Sequence, residues 1–214
     1  MKIQRESRPP DSESVLRLHE KDIAEVVDVL CEAFSDYPVM EFVLGPRRGR
    51  YSEHLQLLIR FFVTARVYRR EFILGVADRG RLQGAALVSL PSGSGGPPEL
   101  NALREDLWSE LGSSARARYE AFGAALTGVS VPAPHIHLNM IGVRRAAHGK
   151  GRGRKLLEHV HALSCEDPVS SVVTLNTEDE ANVPLYKRFG YRLVGQVEVA
   201  PGLTSWGFFR RDSG

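Results

Sequence analysis

Residues 143–157 read VRRAAHGKGRGRKLL, with glycines at Gly149, Gly151 and Gly153. They follow a run in which Ile136, Leu138 and Met140 alternate with polar residues, and they lead into helical spacing at Leu156, Leu157, Val160 and Leu163. Strand, glycine-rich basic turn and helix therefore lie in that order. Glycines remove the Cβ atoms that would hold a ligand off the backbone, so successive N–H groups can converge on an anion at the positive end of the helix. The turn is built to hold phosphate.

The carrier of that phosphate is narrowed by spacing. A P-loop needs four residues between its first Gly and Gly-Lys, then a Ser or Thr for magnesium, and neither is present. A dinucleotide fingerprint spaces its glycines two and three apart, whereas these are spaced two and two. His148-x-x-Gly151-x-Gly153 resembles instead the acyl-CoA pyrophosphate loop of GNAT superfamily N-acetyltransferases, usually Gln or Arg-x-x-Gly-x-Gly or Ala; His148 departs from the usual first residue. A second segment, Asn182 to Tyr191, resembles the same family's Asn, Tyr and Gly-aromatic signature. Its i, i+4 spacing sets Asn182 and Tyr186 on one helix face, and Gly190 stands where a C′ residue ends the helix. The likeness covers residues 134–210. Pro184 to Arg188, with Val197, Glu198, Val199 and Trp206, is similar to the puromycin acetyltransferase-like branch.

Composition sets the frame. The 214 residues are 43% hydrophobic, enough for a core, and the net charge of +2 implies no global attraction to nucleic acid or membrane. The basic excess is local, in Arg144, Arg145, Lys150, Arg152, Arg154 and Lys155. Cys31 and Cys165 are too few and too scattered for a disulfide framework or a metal site. With no apolar run near ~20 residues and a charged, proline-containing start, the expected location is cytoplasmic.

Along the chain, residues 1–14 read as a flexible tail and 15–214 as one domain. Asp22 with Glu25 reads as a capping box opening a helix to Phe34, and 35–49 as a loop. A second helix runs through Leu55, Leu58, Ile59 and Phe62 to about Arg69; 72–77 and 84–90 form a hairpin across Asp78 to Gly80. After a connector at 91–98, a helical insertion spans 99–128. Strands at 134–143 and 171–176, the helix at Asn182, and strands at 191–199 and 203–210 complete a mixed α/β order. The resemblance implies the GNAT fold, a mostly antiparallel, splayed central sheet flanked by helices.

It also implies chemistry: direct transfer of acetyl from acetyl-CoA to an amine, with no metal. Cofactor contacts map to Ile141, Gly142 and Val143 for the pantetheine arm, to His148, Gly149, Lys150, Gly151, Arg152, Gly153 and Arg154 for the pyrophosphate, and to Asn182 and Tyr186. Tyr186 matches the general acid, since a phenol of pKa ~10 can protonate a thiolate whose conjugate acid is near ~8.5. For the base, His137 lies six residues before Val143, where several protein-acetylating relatives carry Glu. Glu178 acting through water is the alternative, although a charge run before a helix is usually a solvated first turn.

His135, His137 and Asn139 share the polar face of their strand, which implies a cleft. Phe34, Tyr37, His135, Asn139 and Trp206 are the expected acceptor contacts. Trp108, Tyr119 and Phe122 either join them or simply pack the insertion on the sheet. The mostly apolar set suits a small-molecule primary amine; a homodimer is compatible with it. The alternatives are a protein-lysine acetyltransferase, an acyl-CoA-binding sensor, and a non-catalytic polyanion- or RNA-binding module using the cations of 144–155.

Overall fold

The computed structural model describes residues 14–91 and 95–212; the expected tail falls almost wholly outside them. Seven strands form one sheet: β1 (Val15–Leu18), β2 (Phe72–Asp78), β3 (Arg81–Ser89), β4 (Ile136–Val143), β5 (Val172–Thr177), β6 (Arg192–Ala200) and β7 (Leu203–Arg211), in the order β1-β2-β3-β4-β5-β7-β6. All neighbouring pairs are antiparallel except β4 with β5. On one face lie α1 (Ile23–Phe34), α2 (Pro38–Leu44), α3 (Tyr51–Tyr68), α4 (Pro98–Leu111) and α5 (Ser113–Leu126), packed around Leu30, Leu58 and Ile59. Below the other face lie α6 (Arg152–Glu166) and α7 (Asn182–Arg188), around Leu156, Tyr186 and Phe208. The mixed α/β, mostly antiparallel expectation holds. No helix among the described residues is long and apolar enough to cross a membrane.

Three local expectations are corrected. Asp22 and Glu25 do not form a capping box. Asp22 is the last residue of a short 3-10 turn (20–22) and accepts from the N–H of its N-cap, His19, at 2.9 Å, while Glu25 accepts from the Leu82 N–H at 2.7 Å and ties α1 to β3. Residues 35–49 are not all loop. Pro38 pre-sets the first turn of α2, whose Val39, Met40 and Val43 bury against the core. Strand β1 has no counterpart in the sequence pattern, because four residues with a mixed burial pattern give no periodic signal.

Two features of β4 position the site. Leu87 of β3 pairs with Met140 and Val88 with Leu138, which leaves Asn139 as an extra, bulged residue. The strict polar–apolar alternation therefore breaks there, and Met140 turns to the α1–α3 face with His137 instead of opposite it. Pairing of β4 with β5 then ends at Leu138–Leu175, although both strands continue. The sheet splays from Asn139 onward.

Candidate active site

The glycine turn and the splay face a common cleft of ≈ 830 Å³ lined by Ile141, Gly142, Val143, His148, Gly149, Gly151, Arg152, Gly153 and Arg154 from β4 and α6, and by Asn182 and Tyr186 from α7. Gly149 (φ 73°) and Gly151 (φ 75°) are left-handed, and a Cβ at either would meet nothing within 4 Å. The loop thus curls around open space at the N-terminus of α6, whose first-turn amides have no intrahelical acceptor. His148 bonds the Val143 carbonyl through Nε2 at 2.9 Å, so its ring pins the loop to β4. Lys150 is exposed. Gly142 has a different reason: an added Cβ would sit 2.6 Å from Ala33 Cβ, so α1 can cross β4 only over glycine.

On the helical side of the splay a second cavity of ≈ 320 Å³ is walled by Met40, Phe62, Tyr119, Phe122, His137 and Met140 among others. Phe34, Tyr37, Ile141, Asn182 and Tyr186 line both spaces, so the two clefts meet between β4 and α7. The Tyr37 hydroxyl lies 3.0 Å from Thr177 Oγ1 and accepts from the Glu178 N–H at 2.9 Å, clamping the start of α2 to the end of β5. Gly190 (φ 83°) closes α7 in a Schellman motif, with Tyr191 N–H on the Tyr186 carbonyl at 3.1 Å and Gly190 N–H on Lys187 at 3.0 Å. That cap fixes the turn of helix carrying Tyr186.

Residues 103–206 match the model of the Acetyltransferase (GNAT) domain family. Over that stretch the chain is similar to a GNAT acetyltransferase domain. Enzymes of that class take their acyl group from acetyl-CoA. Solved structures share the acetyltransferase fold at low identity. A histone-acetyltransferase-related protein of Corynebacterium glutamicum superposes with a TM-score of 0.68 at 22% identity, covering 94% of this chain and 97% of its own. The Drosophila melanogaster polyamine N-acetyltransferase that forms N-acetylagmatine gives 0.65 at 15%, covering 92% and 98%. Arylalkylamine N-acetyltransferase 2 of Aedes aegypti gives 0.66 at 14%, covering 95% and 100%.

In this acetyltransferase Glu178 is not in a solvated turn. It is buried, accepts from Ser205 Oγ at 2.6 Å and lines the smaller cavity; burial raises its carboxyl above the usual range, against the hydroxyl that donates to it. Tyr186 is buried beside it, and desolvation, then the negative charges of Glu178 and Asp179, push its phenol far up. His137 faces the cavity with Nδ1 2.8 Å from Thr174 Oγ1, and burial lowers it to about 4.

Two expected acceptor contacts of the acetyltransferase fall elsewhere. His135 precedes β4, bonds the Ala133 carbonyl at 2.7 Å and lines neither space. Trp206 alternates with Ser205 along β7; Ser205 faces Glu178, so the indole turns to the opposite face, where it donates to Gln196 Oε1 at 3.1 Å. Asn139 does line the cavity, accepting from Arg66 Nη1 at 3.0 Å and Ser89 Oγ at 2.8 Å. Tyr119 and Phe122 line it as well, while Trp108 packs behind Tyr119.

The basic cluster is largely neutralised. Arg144 pairs with Glu32 at 2.8 Å, Arg145 with Asp36 at 2.9 Å, and Arg152 with Asp78 at 2.8 Å. The Arg152 side chain is thus turned into the protein, and what it offers the loop is backbone. Sequence reading missed Arg66, which lines the cavity from α3. A lone Arg within an amphipathic helix carries no signal of what it faces.

Proposed function

We propose that this acetyltransferase moves an acetyl group from acetyl-CoA directly to the primary amine of a small molecule. The observation that carries the reading is the junction of the two clefts at Tyr186 and Asn182, where a donor held on one side of the splay meets an acceptor on the other. The donor side has the right chemistry: helix-terminal amides at 149–154 for a pyrophosphate, and a β4 main chain from Ile141 to Val143 with no β5 partner, open to the amides of a pantetheine arm. Neither Cys31 nor Cys165 lines either space, which supports direct transfer over an acyl-cysteine.

Acetyl-CoA supplies the activated thioester. Backbone N–H groups near Ile141 would stabilise the carbonyl oxygen as it gains charge. Glu178 receives the proton of the attacking amine as the C–N bond forms, and Tyr186 gives its proton to the departing thiolate as the C–S bond breaks. Glu178 suits the base role better than His137. In the parallel register it follows Thr177 past the end of pairing, level with Ile141, whereas His137 lies four residues down β4, about 13 Å away at ~3.3 Å per residue. Its raised carboxyl is also closer to neutral working pH than an imidazole near 4.

A small acceptor is favoured by the size of the cavity and by the likeness of Pro184 to Arg188 to the puromycin acetyltransferase-like branch. The polyamine, agmatine and arylalkylamine acetyltransferases among the fold neighbours point the same way. A chain with only two cysteines, Cys31 and Cys165, agrees with a reducing compartment such as the cytoplasm.

The test is thiol release from acetyl-CoA across an amine panel, read against pH. Glu178→Gln is expected to lower kcat/KM by ~100- to 10,000-fold and to erase the acidic limb, while His137→Asn keeps the limb. An unchanged limb in Glu178→Gln would return the base role to His137. Acetyl-CoA binding with no amine acetylated would favour a sensor.

A further inference from the structure

We propose that the acceptor is a compact arylalkyl monoamine, and that Arg66 on the cavity wall turns away amines carrying a second cation. The proposal rests on the transfer reaction above and names its substrate class. The cavity presents one charged group of each sign. Glu178 stands at the mouth shared with the donor cleft, beside Asn182 and Tyr186, and among the described lining residues no other side chain is Asp or Glu. Its carboxylate is placed to meet the reacting nitrogen.

Arg66 reaches the wall from α3 through the bulge of β4. Its Nη1 donates to Asn139 Oδ1 at 3.0 Å and to Ser89 Oγ, and lies 2.8 Å from Glu71 Oε2. Glu71 is buried behind the guanidinium and does not line the cavity. A guest therefore meets the cation before the carboxylate that balances it. The second charge of a diamine or a guanidino-amine would be stripped of water and set against a fixed like charge, with no second carboxylate to receive it.

Between the two ends the wall is aromatic. Phe62 and Tyr119 stack with centroids 6.0 Å apart, Trp108 backs Tyr119 at 5.1 Å, and Phe122 lines the same side. A space of ≈ 320 Å³, at the small end for ligand sites, suits one ring on a short tether. His137 on the same wall is neutral near pH 7 and offers no charge to a second amine.

Calorimetry on the full chain saturated with CoA separates specificity from turnover. Phenethylamine is expected to bind at least ~10-fold tighter than agmatine or putrescine. Asn139→Asp keeps the shape of the bulge and sets a carboxylate against the guanidinium, so it should narrow that ratio by a similar factor. Equal or tighter binding of the diamines by the unaltered protein overturns the proposal; the rings would then be holding the second cation on their faces. A ratio unmoved by Asn139→Asp, in a variant with unaltered thermal unfolding, removes Arg66 as its cause and overturns it as well. Phenethylamine bound as expected but never acetylated leaves the acceptor class standing and defeats the transfer reaction. Acetylation with the diamines preferred does the reverse.

Discussion

Tyr186 keeps its proton because burial and the charges of Glu178 and Asp179 all oppose the phenolate. The phenol is therefore held in its protonated form at neutral pH and has a proton to give a departing thiolate. Tyr186→Phe removes one hydroxyl and little packing, so kcat is expected to fall ~100- to 10,000-fold with affinity for CoA retained, measured by single turnover beside calorimetry. Full turnover in that variant would assign the proton to another donor. Glu178 works by the opposite balance: burial alone lifts its carboxyl while the Ser205 hydroxyl holds it down. Ser205→Ala removes that restraint, so the acidic limb of kcat/KM should move to higher pH. A limb at its original position would show that Ser205 only packs. Both assignments depend on side chains that the fold brings together, since Tyr37, Thr177 and Ser205 are remote from one another in sequence and meet around Glu178.

At the scale of elements, the turn before α6 and the splay of β4 form the proposed donor side. Gly151→Asp meets no steric obstacle, since nothing lies within 4 Å of the added Cβ, but it forces a non-glycine residue to φ 75° and sets a carboxylate where an anion is to bind. Affinity for CoA should be lost while the chain stays folded; wild-type affinity by calorimetry would remove the loop from the site. Gly142→Val acts through packing, because its Cβ would fall 2.6 Å from Ala33 and 3.2 Å from Leu30 Cδ2. Overpacking of this kind typically costs ~1–3 kcal/mol, read as a lowered denaturant midpoint. The insertion α4–α5 is likewise part of the architecture. Arg118 donates to the Val43 carbonyl from Nε at 3.0 Å and from Nη2 at 2.7 Å, fixing α5 over α2 and the aromatic wall between them.

For the whole molecule, two histidines set an acid limit. His137 and His161 are both lowered to about 4 by burial, and His161 Nε2 lies 3.0 Å from the Tyr191 hydroxyl. Their unfolded values are near ~6.5, so between about 6.5 and 4 the unfolded chain binds more protons than the folded one. Stability therefore rises with pH across that window and is lost on acidification. His161→Gln keeps a polar partner for Tyr191 and removes one titration, so its melting temperature should fall less steeply from pH 6.5 to 4.5. Parallel curves for variant and parent would show that His161 is not desolvated in the folded state.

The glycine turn before α6 and the Asn182–Tyr186 helix face were legible in the sequence because their signals are local. Glycines at 149, 151 and 153 before a helical run, and the i, i+4 pair Asn182 and Tyr186 ahead of Gly190, are short-range patterns tied to backbone geometry. Most strands and helices followed from periodicity in the same way. The acceptor side was not legible, because it depends on which residues face one another across the sheet. The bulge at Asn139 reversed the alternation for Met140, strand parity turned Trp206 away, and burial converted Glu178 from an apparent surface charge into a cavity carboxylate. Arg66 met Asn139 on one side and Glu71 on the other through packing of α3 on β2 and β3. Sequence by itself determined the glycine turn ahead of α6 and the helix face that carries Asn182 and Tyr186; only the tertiary structure decided what lines the second cavity, because burial and long-range pairing set charge and orientation there.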